Sequence, residues 1–208
     1  LMYLELKQLS FKYDQTSIIE KFDLCANKGS ITAIIGESGS GKSTLLRILA
    51  GLQSAHQGVF KLDDQIIFDD KTSIDTHKRK IGLVFQDYTL FPHLTVYQNI
   101  AFGMRQKNKK DRIQAILKMV ELEEDTKKYP YECSGGMQQR IALARAIANQ
   151  PKLLLLDEPF SNLDQELKIR LRNQFIDWAK QEDITLIWVT HDIEEAHAIA
   201  EQIIELRK

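Results

Sequence analysis

Cysteine is nearly absent from this chain of 208 residues: only Cys25 and Cys133 occur, far apart and in no CxxC pair. A disulfide framework and a zinc knuckle are both excluded on that ground, and a reducing compartment is the default. Long apolar runs are missing too. The longest are strand-sized, such as Leu153–Leu156, whereas a membrane-spanning helix needs about 20 apolar residues. Any membrane contact is therefore expected through a partner. The opening Leu1-Met2-Tyr3-Leu4-Glu5 shows no charged stretch followed by an apolar one, so no secretory signal is read there. Leu1 ahead of Met2 reads as an added residue or a trimmed start. Neither charge dominates. Lys plus Arg total 28 against 29 Asp plus Glu, a formal net charge of −1. A protein built to grip nucleic-acid phosphates is normally more basic, so no direct nucleic-acid partner is expected. No repeat or low-complexity tract appears.

What is present is ordinary globular material: 43% hydrophobic and 27% charged residues, enough to bury one core without metals or disulfides. Leu4, Leu6, Phe22, Leu24 and Ala26 alternate with Glu5, Lys7, Asp23 and Cys25, the period of half-buried strands. Asp63-Asp64 separates two short strand-like runs and reads as a hairpin turn. Ile31–Ile35, ending at Gly36, fits a strand covered on both faces. Ile113, Ile116, Leu117 and Val120 recur at helical spacing behind Asp111, a favourable N-terminal charge. Met137, Ile141, Ala144 and Ala148 form a second helical stripe. Both stripes read most simply as core packing.

From residue 153 strands and helices alternate: strand Leu153–Leu156, helix Leu167–Trp178, strand Thr185–Val189, helix Ile193–Ala200, strand Ile203–Leu206. Such alternation implies right-handed crossovers and a parallel sheet. One α/β domain over 1–208 is expected. Its core, with an antiparallel β lobe, spans about 1–86 and 151–208, and a helical subdomain is inserted at about 87–150.

The segment Gly36-Glu37-Ser38-Gly39-Ser40-Gly41-Lys42-Ser43-Thr44 matches GxxxxGK[ST]. Its glycines let successive N–H groups turn inward towards phosphate oxygens, and the following helix adds its positive end. Lys42 would reach the β- and γ-phosphates and the Ser43 hydroxyl would ligate Mg²⁺. The strand before it, and Leu45, Leu46, Leu49 and Leu52 at helical spacing after it, supply the context this motif requires. The chain therefore reads as a P-loop NTPase core. Leu153–Leu156 followed by Asp157-Glu158-Pro159 is the second half of an Mg-nucleotide site: an apolar strand delivering acids at its tip. Asp157 can hold Mg²⁺, and Glu158 stands where a general base would polarise water. Pro159 is expected to keep Glu158 extended.

Cys133-Ser134-Gly135-Gly136-Met137 closely precedes the acid strand. Here the chain resembles the ATP-binding cassette (ABC) ATPases, whose signature is usually written LSGGQ. Ser134, Gly135 and Gly136 match it; Cys133 and Met137 depart from it. The other family pieces follow in order. Gln86 resembles the Q-loop glutamine that senses Mg²⁺ and the attacking water. Ser161-Asn162-Leu163-Asp164 resembles the D-loop. His191 resembles the switch histidine at the γ-phosphate. Tyr13 fits the aromatic that stacks on adenine, with Phe11 as the alternative.

The resemblance implies ATP hydrolysis with Mg²⁺, with Glu158, His191 and Gln86 as catalytic residues and Ser43, Gln86 and Asp157 at the metal. Ser134, Gly135 and Gly136 would close on ATP held by the opposite subunit, so a head-to-tail homodimer with two ATP molecules is implied. Gln86–Met104 and Tyr129-Pro130-Tyr131-Glu132 resemble the importer branch, in which Gln86–Met104 docks on integral-membrane permease subunits at the cytoplasmic face of the membrane. The implied cargo is a small solute or ion. A soluble ABC ATPase of DNA maintenance or translation is the alternative. The former class carries a long coiled coil between Q-loop and signature, whereas only 48 positions separate Gln86 from Ser134, with no heptad run; the latter carries two cassettes. Asn108-Lys109-Lys110-Asp111 matches the NKxD of GTPases formally, but no apolar strand precedes it. Only 17 residues follow His191, as in a short member or one lacking a C-terminal regulatory domain.

Overall fold

In the computed structural model, which describes residues 2–104 and 109–207, β1 (Met2–Tyr13) and β2 (Thr16–Asn27) pair antiparallel. Leu4 and Leu6 bury one face, as alternation demands. At Gln8 the backbone turns to φ 52° and the register shifts, so that Leu9 and Phe11 return to the core. This is a β-bulge, which adds a residue and re-aims the strand. β4 (Gln57–Leu62) and β5 (Gln65–Phe68) complete a four-stranded sheet in the order β2-β1-β4-β5. Asp63 and Asp64 form its hairpin turn at φ 51° and 60°, the left-handed pair that matches strand twist and suits Asp.

The second sheet is wholly parallel and runs β6-β7-β8-β3-β9, from β6 (Ile81–Val84), β7 (Leu153–Asp157), β8 (Thr185–Val189), β3 (Ile31–Ile35) and β9 (Gln202–Glu205). Its central strands β7 and β8 are buried at every position, and apolar except at Asp157 and Thr185, because both faces are covered. Leu154, Leu156, Leu186 and Trp188 enter one apolar cluster with α2 (Val96–Ala101), α3 (Lys109–Met119), α4 (Gly135–Ala148) and α5 (Gln165–Gln181). Leu153, Leu155, Ile187 and Val189 point the other way, into a cluster with α1 (Lys42–Ala50) and the antiparallel sheet. The two-residue period of each strand thus joins the sheets and the helices without a linker. The last helix, α6 (Ile193–Ile199), follows β8.

Several boundaries differ from expectation by one to three residues, two of them for a visible reason. Leu52 is not on the helix that follows the glycine loop. Gly51 adopts φ 84° and caps α1 by donating to the carbonyls of Arg47 and Ile48, leaving Leu52 half-exposed. The helix after the acid strand starts earlier than Leu167, at Gln165, because the Asp164 side chain accepts from Leu167 N–H at 3.0 Å and caps it. The formal NKxD resolves into the first turn of α3 for Lys109–Asp111; Asn108 lies outside the described residues. Among the described residues no helix is long and apolar enough to cross a membrane.

Candidate functional site

The parallel sheet aims the carboxyl ends of β3, β6, β7 and β8 at one rim, where open α/β sheets hold ligands. At β3 the chain leaves through Gly36, where an added Cβ would stand 2.6 Å from the Leu206 carbonyl oxygen. Gly41, at φ 99°, closes the loop, and a Cβ there would stand 2.9 Å from Ile18 Cγ2. Both positions need glycine for space, and Gly41 for conformation too. No side chain caps α1, so its first N–H groups remain available to an anion. Lys42 is buried and folds back over the loop, donating to the carbonyls of Gly36 at 2.7 Å and Glu37 at 2.8 Å.

Asp157 ends β7 and is buried. Burial pushes its carboxyl above the ordinary range, and the neighbouring Glu158 charge adds to this; a hydrogen bond from Ser43 and the charge of Lys42 oppose it. Ser43, Asp157 and Gln86 line the same cleft of about 380 Å³. Their hydroxyl, carboxylate and amide supply an all-oxygen donor set, which suits a hard divalent cation such as Mg²⁺. Among the described residues no group of three His, Cys, Asp or Glu forms a competing metal site.

Glu158 corrects an expectation. It is not extended despite Pro159, but sits at φ 48°. Three hydrogen bonds hold it there. Its N–H donates to the Val189 carbonyl at 3.0 Å. Its own carbonyl accepts from Ser161 N–H at 3.2 Å and from the Gln139 side chain at 3.1 Å. Tertiary bonds override the local preference of the residue before proline, and such strain concentrates at functional sites. The carboxylate is turned towards His191, and Nδ1 of that ring lies 2.7 Å from Glu158 Oε1. His191 follows β8 and stands open, with its side chain 69% exposed.

Ser38, Gly39, Gly41, Lys42 and Thr44 line this cleft with the acids and His191. Glu37 and Ser40 turn instead into a small recess beside Leu206. Of the two candidate aromatics, Phe11 is 3% exposed and packed at 4.8 Å against Tyr13, whereas Tyr13 is 46% exposed and lines the cleft. Ile18, which the sequence reading passed over, lines it too.

Ser134 caps α4 through Met137 N–H at 3.3 Å, with exposed Gly135 and part-buried Gly136 in the first turn. None of the three lines the cleft of Lys42. Cys133 is buried, and burial pushes its thiol up, as a packing residue requires. Beyond Gln86, residues Thr89, Phe91, Phe102 and Gly103 line a separate groove of about 840 Å³ against Arg145 and the start of β6. Phe102 is half-exposed and packs against Phe91 with ring centroids 4.2 Å apart and the rings tilted by 41°. Arg145 and Gln139 lie on α4 among the positions of the Met137–Ala148 stripe, and the sequence singled out neither.

Sheet order, loop and acid strand together define a P-loop fold. Residues 19–161 match the family model described as ABC transporter, and the chain belongs to that family. It is 43% identical to the spermidine/putrescine import ATP-binding protein PotA of Mannheimia succiniciproducens over 99% of this chain and 55% of that protein. The PotA of Vibrio cholerae is also 43% identical, over 98% and 54%. That of Salmonella typhimurium is 40% identical, over 97% and 54%. The chain thus spans about half the length of these relatives. A solved dimeric structure of the ATP-binding cassette MJ0796 in a post-hydrolysis state, bound to ADP and Pi, superposes with a TM-score of 0.85 at 32% identity, covering 98% of this chain and 94% of that one.

Proposed function

We propose that this chain binds and hydrolyses ATP as a subunit of an ABC importer. The observation that carries this reading is the convergence, in one cleft, of Lys42, Ser43, Gln86, Asp157, Glu158 and His191 from four loops at one sheet rim. Phosphoryl transfer asks little covalent work of a protein and much positioning and charge stabilisation. Lys42 and the N–H groups of Ser38–Thr44 would hold the phosphates. Ser43, Asp157 and Gln86 would hold Mg²⁺, which would supply positive charge to offset the charge developing on the phosphates. Glu158 would accept the proton of the attacking water. His191, hydrogen-bonded to that carboxylate, would keep it aimed and reach the γ-phosphate. Tyr13, open at the cleft edge, would stack on adenine.

Ser134, Gly135 and Gly136 lie outside the cleft of their own subunit, so a complete site needs a second copy placed head to tail, with two ATP molecules between them. The dimeric state of the structural neighbour supports this arrangement. The groove beside Gln86–Met104, with its exposed Phe102, is read as the seat of a permease segment. The chain would then sit at the cytoplasmic face of the membrane, held by permease subunits. The domain bounds expected from sequence, a core at about 1–86 and 151–208 and a helical subdomain at about 87–150, are kept as part of this proposal. The relatives' names direct the first transport assay to polyamines within the class of small solutes and ions.

The test is a pull-down from gently solubilised source membranes with tagged Glu158→Gln and Mg-ATP. Substitution of the base should trap the ATP-bound pair, and a multi-span permease should come down with it. Recovery of only soluble or nucleic-acid-associated proteins would refute the importer reading and leave the ATPase reading standing.

A further inference from the structure

Gln139 is 1% exposed on α4, five residues beyond Ser134. A buried side-chain amide needs partners for both ends, and here every partner is on the segment that follows β7. The Nε2 group donates to the Glu158 carbonyl at 3.1 Å and to Ser161 Oγ at 3.3 Å. Oε1 accepts from Asn162 N–H at 3.2 Å. One side chain thus ties down the left-handed turn at Glu158 and the first residues of the D-loop. The same turn is gripped twice more. The Asn162 side chain meets the Tyr88 hydroxyl beyond Gln86. Gly136 lies against it so closely that a Cβ there would stand 2.8 Å from Leu163 Cδ2 and 3.3 Å from the Asn162 carbonyl oxygen. Without the Gln139 amide, the strained φ of 48° at Glu158 keeps only its two main-chain hydrogen bonds, and its carboxylate swings with the backbone.

We propose that Gln139 is a positioning residue for ATP hydrolysis: it holds the backbone of Glu158 in the left-handed conformation that aims the carboxylate at the reacting water, and so couples the signature helix to the catalytic turn of the same subunit. The inference rests on the reading of Glu158 as base. Gln139 does not line the cleft of Lys42 and Glu158, so its removal acts on kcat rather than on ATP affinity.

The experiment uses the purified chain with Mg-ATP. Gln139→Met keeps the shape and removes all three hydrogen bonds. Gln139→Glu keeps an acceptor for Asn162 N–H and sets a carboxylate oxygen against the Glu158 carbonyl. Misplacing a reacting group by about 1 Å costs on the order of 100-fold in rate, so kcat should fall about 10- to 100-fold in both variants. KM and the affinity for a fluorescent ATP analogue should stay within about threefold, and circular dichroism should show the folded chain. In a Glu158→Gln background, Gln139→Met should cause no further loss. A kcat within twofold of the parent in the folded variants, a loss expressed wholly in KM, or a second full loss in the Glu158→Gln background would each overturn the proposal. Parental turnover by Glu158→Gln would overturn the base assignment together with it. A silent Glu158→Gln beside a fully active Gln139→Met would overturn this proposal alone.

Discussion

Removing the Arg145 side chain separates docking from hydrolysis more cleanly than any change in the cleft. Its guanidinium donates to the carbonyls of Thr89 at 2.9 Å and Tyr88 at 3.1 Å, and lies 5.3 Å from the centre of the Phe91 ring. Tyr88 and Thr89 both adopt positive φ, 58° and 46°, so this segment depends on an external clamp. Hydrogen bonds from a charged donor contribute about 1.5–3 kcal/mol each. Both are taken at the lower limit because the contacts are partly solvated, about 3 kcal/mol in all. The ring contact adds about 0.5–1 kcal/mol, which the cost of burying the cation offsets; that cost is visible in the downward shift of its pKa by desolvation. Arg145→Ala should therefore lose about 3 kcal/mol, or about 6–12 °C in Tm for a chain of this size. Two assays follow. Differential scanning calorimetry reads the stability, and ATP turnover and permease capture are measured well below the lowered Tm. Capture should fail while turnover of the free chain falls far less, because Arg145 lines the groove and not the cleft and reaches the catalytic turn only through Tyr88. Unchanged Tm together with normal capture would refute the clamp.

Lys42→Ala should bind ATP far more weakly, since Lys42 is the one Lys or Arg side chain lining the cleft among the described residues; equilibrium binding of a fluorescent analogue checks this, and parental affinity would sink the loop assignment. Asp157→Asn should abolish turnover yet raise Tm at pH 7. The folded-state pKa of Asp157 lies above its unfolded value, so burying the charged form costs stability at neutral pH. The gain over the parent should shrink as pH falls through that raised pKa, where both side chains are neutral. A pH-independent gap, or a lowered Tm, would contradict the desolvation argument.

The parts legible without tertiary structure are those that local chemistry controls. Alternation located β1 and β2, because successive side chains point to opposite faces, and short apolar runs located β3 and β7. Gly36, Gly41, Lys42 and Ser43 marked the phosphate-type loop, because positive φ, close backbone approach and a helix start leave few residue types available. Asp63-Asp64 announced its hairpin for the same reason. The ordered set from Gln86 through Ser134 and Asp157 to His191 was specific where each short motif alone was weak.

Other features required the assembled fold. Sequence order does not place β8 between β7 and β3, yet that order alone brings His191 within 2.7 Å of Glu158. Pro159 argued for an extended Glu158, and the prediction failed because bonds to Val189 and Gln139, remote in sequence, outweigh a one-residue preference. Leu52 fitted the apolar spacing of α1, but the Gly51 cap ended the helix first. Gln139 and Arg145 read as helix positions like any other, since their roles lie in carbonyls 19 and 56 residues away along the chain. Periodicity and turn chemistry act over a few residues and are written locally. The aim of a carboxylate is set by whichever segments packing brings beside it, and that only the folded chain decides.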